Sequence, residues 1–140
     1  MSVDYEIYMS NKFPLSRADE FNFFHESADD GVVRGYIFSG LLFFAIAENH
    51  PEDAFVREEV GFLPVSRLIL SPELNDYENS MRVLMKVISV CVEVAEKVKV
   101  YQNNEFLLLE KTAKEVVIFN KKGGWWGEYL QLLKFDYVER

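Results

Sequence analysis

The chain has 140 residues, 49% hydrophobic and 15% aromatic, with a formal net charge of −8. That length matches one domain, and the apolar content supports a packed core, which excludes a disordered chain. The charge argues against nucleic acid and membrane surfaces as partners and favours basic proteins. Its distribution sharpens the point. Residues 19–59 hold ten acids and two bases, a balance of −8, while the remainder holds 13 of each and sums to zero. A single cysteine, Cys91, cannot form an internal disulfide. No basic leader with an apolar core opens the chain, and the longest apolar run, residues 41–47, is far below the roughly 20 residues of a membrane span. The expected compartment is the cytoplasm.

In chain order, Val3, Tyr5, Ile7 and Met9 alternate with Asp4, Glu6, Tyr8 and Ser10, which predicts a strand with one covered face. Pro14 ends it. Ser16 caps a predicted short helix to about residue 26, with Asp19 in a capping-box position. Asp29-Asp30-Gly31 is a turn. Residues 32–38 and 41–48 read as two strands, the second apolar on both faces and therefore central. Residues 49–59 form an acidic loop. Another strand is expected over 63–70, with Pro64 near its start, where a missing N–H costs least.

The long helix is predicted over residues 77 to about 98, with Asn75 or Asp76 as its cap. Met81, Leu84, Met85, Ile88, Cys91, Val92 and Ala95 share one face at helical spacing, widened by Val83, Val87, Val90 and Val94. The remaining polar stripe is narrow, so the helix must lie on a sheet with a further element flanking it. Strands follow over 98–102, 105–110 and 115–120. Asn103-Asn104 suits a two-residue hairpin turn, because Asn tolerates positive φ. After Gly123-Gly124, Trp125-Trp126 leads into a helical turn and an extended end. If Trp125 and Trp126 are extended, their side chains face opposite ways, one to the core and one outward as an interface anchor. The predicted fold is a single α+β domain over residues 1–140: a mainly antiparallel sheet of about six or seven strands, one long helix on a face and a short N-terminal helix.

Chemistry-bearing patterns are sparse. His25 and His50 are too few for a structural zinc site with one core cysteine. His25 has no second histidine at i+4, Gly123-Gly124 lies in no phosphate-binding motif, and Ser39-Gly40 lacks the glycine pattern of a nucleophile elbow. His50 with Glu48, Glu52 and Asp53 is conceivable as a loop metal site, but a plain surface loop is the better reading. The expectation is a protein without catalysis, metal or cofactor.

Val60-Gly61-Phe62-Leu63-Pro64, the long helix, Tyr101-Gln102-Asn103-Asn104-Glu105-Phe106-Leu107-Leu108-Leu109 and Gly124-Trp125-Trp126 follow one another in an order that resembles the swarming-inhibition (Sit) type of immunity protein. This is a family of small bacterial proteins that protect a cell from a toxin delivered by kin. The resemblance covers residues 60–126, about half the chain. It implies a non-catalytic protein that binds and neutralises a cognate protein toxin. The acidic half suits a toxin with a basic surface, such as a nuclease cleft built for phosphate. The expected partner contacts are Asp29, Asp30, Glu48, Glu52, Asp53, Glu58 and Glu59, with Trp125 and Trp126. The alternative is an acidic adaptor or subunit of a larger assembly with no toxin partner.

Overall fold

The computed structural model describes residues 3–14, 16–17, 23–27, 32–37, 42–48, 59–72, 76–119 and 125–140; for 23–27, 32–37, 42–48 and Trp125 it describes the backbone course. The chain forms β1 (Tyr5–Met9), β2 (Phe23–Ser27), β3 (Val32–Ile37), β4 (Leu42–Glu48), β5 (Ser66–Ser71), α1 (Tyr77–Val94), β6 (Val98–Gln102), β7 (Phe106–Lys111), β8 (Val116–Ile118) and β9 (Val138–Glu139), with a 3₁₀ helix over Trp125–Leu132. Among the described residues the strands make one nine-stranded sheet in the order β2-β3-β4-β5-β1-β6-β7-β8-β9. The β8–β9 pair is parallel and every other pair antiparallel. The class is α+β, as the sequence predicts.

The two strands beyond the expected seven have separate origins. Residues 23–26 were expected at the end of a short helix, but they lie in β2, paired with β3 from Phe23 opposite Ile37 to Ser27 opposite Val33. A 3₁₀ turn survives at Ser16 and Arg17, and residues 18–22 lie outside the described residues. Phe23 and Phe24 are good strand formers, and a neighbouring strand supplies ladder bonds that a short isolated helix cannot match. The other added strand is the extended end, which pairs as β9.

β1 lies in the middle of the sheet, between β5 and β6. All five of its residues are buried, so the alternation read as one covered face is covered on both. Tyr5, Ile7 and Met9 join the core beneath α1, while Tyr8 belongs to a separate cluster with Val60 and Tyr101. β4, expected to be central, is an interior strand between β3 and β5.

α1 begins at the expected residue but stops four residues early. Ala95 is already extended, with φ −110° and ψ 146°. Asp76 stands at the N-cap position without making the side-chain cap bond. Its carboxylate instead accepts from Asn79 Nδ2 at 3.0 and 3.2 Å. At the other end Lys111 Nζ donates to the carbonyls of Val92 and Ala95, both at 2.6 Å. A cation there satisfies orphan acceptors and complements the helix dipole. Val87, Ile88, Cys91 and Val92 are buried, as the apolar face requires. The element flanking α1 is the 3₁₀ helix, whose Trp126 and Leu130, with Leu133 just beyond, share one core with α1 and the sheet.

The β6–β7 hairpin turns on Asn103 (φ 54°) and Asn104 (φ 53°). Two successive left-handed residues match the mirror-image turn whose twist suits a hairpin. Gly61, at φ 78°, occupies the same region ahead of β5, which accounts for a glycine at the start of the Gly61-Phe62-Leu63-Pro64 entry.

Candidate functional site

The acidic segment is organised by the sheet. Its three strands, β2, β3 and β4, are consecutive neighbours at one end of the strand order, joined in sequence as a meander. These three strands form one wing of the sheet, whose residues include Glu26 and Glu48 of the segment's acids, while Glu59 lies against β6. Of the expected contacts, Glu48 closes β4 opposite Ser66 of β5. Asp29, Asp30, Glu52, Asp53 and Glu58 lie outside the described residues, as does His50.

Glu59 is exposed, and its main chain is anchored. Its carbonyl accepts from Lys99 Nζ at 3.0 Å and from the Tyr101 hydroxyl at 3.1 Å. Lys99 also pairs with Glu110 at 3.4 Å. The C-terminal end of the acidic segment is thus tied to β6. Burial, and next the nearby Glu59 charge, push the Tyr101 hydroxyl up to about 12, so it stays a donor at physiological pH.

The sheet face away from α1 holds a polar group that the alternation of β1 signalled only as a water-facing row. Glu6 is 4% exposed. Its Oε2 accepts from the Asn104 N–H at 3.0 Å, and Asn104 Oδ1 accepts from the Tyr8 hydroxyl at 3.0 Å. The Arg67 guanidinium stands 5.3 Å over the Tyr8 ring, and Tyr8 meets Tyr101 edge-on at 5.8 Å. Burial raises the Glu6 carboxyl to about 7, helped by Asp4 and opposed by the Asn104 bond and by Arg67. This group ties β1, β5 and the hairpin turn together. The signal available in the sequence was a glutamate inside an otherwise apolar-aromatic strand.

Trp126 is a correction. It is 0% exposed and lies in the main core, so it offers no surface to a partner. The premise of opposite-facing neighbours fails because Trp125 and Trp126 open a 3₁₀ helix and are not extended. The Trp125 side chain lies outside what is described. Cys91 is fully buried, and burial raises its thiol, which suits a small core residue rather than a nucleophile. Among the described residues no three His, Cys, Asp or Glu side chains gather in a metal-binding arrangement, and no helix is long and apolar enough to cross a membrane.

Comparison of the chain with family models, curated proteins and solved structures returned no match.

Proposed function

We propose that this protein is an immunity protein of the bacterial toxin–immunity kind, acting in the cytoplasm by binding a cognate toxin with a basic surface. The observation that carries the reading is the concentration of acidic charge in one segment. The full net charge of −8 falls in residues 19–59, and the strands of that segment are consecutive neighbours in the sheet. An excess of one sign of charge steers an oppositely charged partner and raises its association rate. The resemblance of residues 60–126 to the swarming-inhibition type supplies the biological class. In this reading that segment covers the toxin's basic cleft, and no bond is made or broken by the immunity protein.

The test is co-expression with the product of a toxin-like gene beside its own. Expected are co-purification of the two chains and survival of cells that die when the toxin is expressed alone. An acidic adaptor would use the same segment and would not rescue those cells. Absence of both complex and protection would sink the immunity reading.

A further inference from the structure

The chain is acidic overall, yet a groove of about 780 Å³ on the α1 side is cationic. Arg17, Lys86, Lys111 and Lys134 line it against one carboxylate, Glu93. The floor is apolar, with Val90, Val116 and Phe135. The walls come from α1, from β7 and β8, and from the chain just after the 3₁₀ helix. By strand order this lies towards the opposite end of the sheet from β2, β3 and β4.

The four cations differ in what they are free to do. Arg17 is held by Glu93 at 2.6 Å, and Lys111 closes the end of α1. Lys86 and Lys134 are exposed and make no ion pair among the described residues. Their placement is nonetheless built in. Lys86 projects from α1, and the Lys134 N–H donates to Ser89 Oγ at 3.2 Å, while Ser89 in turn donates to the Met85 carbonyl at 2.9 Å. Ser89 thereby fixes the backbone of Lys134 against the helix that carries Lys86.

We propose that this groove binds an acidic peptide segment with an apolar side chain among its carboxylates. Charge complementarity selects the sign of the occupant, since two lysines with no ion pair among the described residues border the groove. The apolar floor selects its second feature. A bare inorganic anion would leave the half-buried Phe135 ring in water, whereas an apolar side chain removes its exposed surface from solvent. The volume falls within the range of sites that take a compact ligand. The proposal is independent of the toxin reading, because it concerns the other end of the sheet and is tested on the isolated chain.

The probe is a blocked Asp-Glu-Phe-Glu-Asp peptide titrated into the full chain at low salt and followed by amide chemical shifts. Expected are shifts concentrated at Ser89, Val90, Val116, Lys134 and Phe135. The double variant Lys86→Gln/Lys134→Gln should bind roughly three- to tenfold more weakly, the range set by two exposed ion pairs, with an unchanged thermal transition. The neutral Asn-Gln-Phe-Gln-Asn peptide should bind no better than that variant binds the acidic one. Shifts located elsewhere, an unaffected double variant or equal binding of the neutral peptide would each overturn the proposal. So would a dimer of the wild-type chain at low salt that the double variant abolishes, since the occupant would then be a second copy.

Discussion

Glu6 is the residue on which chemistry and fold meet most directly. Its carboxyl is raised from 4.5 to about 7, chiefly because burial penalises the charged form. The folded state therefore holds this proton more tightly than the unfolded chain does. The resulting stabilisation is fully present below about pH 4.5 and is lost as pH rises through about 7. The displacement corresponds to at most about 3 kcal/mol. Glu6→Gln keeps an acceptor for the Asn104 N–H and removes the titration. Chemical denaturation of both proteins from about pH 5 to pH 8 should show the stability of wild type falling relative to the variant. Parallel curves would mean that Glu6 is effectively solvated. The neighbouring asparagines explain why the turn is not simply Asn-Gly. Asn103 Oδ1 accepts from the Asp4 N–H at 2.8 Å, and Asn104 Oδ1 accepts from Tyr8. Glycine would keep the positive φ and lose these bonds.

Among the elements, α1 is the one on which the core depends. It is buried on the sheet side and again where Trp126 and Leu130 pack. Ile88, fully buried in that core, tests its contribution. Ile88→Ala should lower stability by about 2–5 kcal/mol, the usual range for truncating a packed aliphatic residue. A shift in denaturation free energy below about 0.5 kcal/mol would show that this face is not packed as described. The 3₁₀ helix flanks α1 and meets it at Tyr77, whose ring meets Tyr129 edge-on at 6.4 Å and whose hydroxyl lies 3.3 Å from that of Tyr5. The chain end returns through β9, where the Arg140 N–H donates to the Ile118 carbonyl at 2.9 Å. Its side chain pairs with Glu115 at 2.9 Å.

For the whole molecule the governing feature is the uneven distribution of charge, with the full balance of −8 in residues 19–59. The strands β2, β3 and β4 of the acid-rich segment lie at one end of the sheet order, and the cationic groove lies by β7 and β8 towards the other. On the immunity reading, a variant with Glu52, Asp53, Glu58 and Glu59 all changed to Gln should associate with the proposed toxin more slowly, with a smaller change in dissociation rate, because charge acts mainly on encounter. Raising salt should slow wild-type association in the same sense, because the screening length falls to about 8 Å at physiological ionic strength. Surface-plasmon kinetics over a salt series would measure both. If rate and salt dependence match wild type, these four residues form only a solvated face.

The sequence by itself determined α1, the Asn103-Asn104 hairpin, the strands around them and the concentration of charge in one segment. Each is a local property. Helical spacing, left-handed tolerance and β-branched runs act over a few residues, and net charge is additive. What only the tertiary structure decided depends on partners distant in sequence. Phe23–Ser27 is a strand because β3 pairs with it. β1 is buried on both faces because α1 covers one and Val60 and Tyr101 pack with Tyr8 on the other, although its alternation resembles that of a half-exposed strand. Trp126 is core because a 3₁₀ turn brings it under α1, and adjacency to Trp125 carries no record of that. The cationic groove was equally illegible, because Arg17, Lys86, Lys111 and Lys134 are scattered through a charge-neutral remainder and only packing gathers them. Local rules select elements, while burial and long-range pairing select faces, since a side chain's environment is set by whatever folds over it.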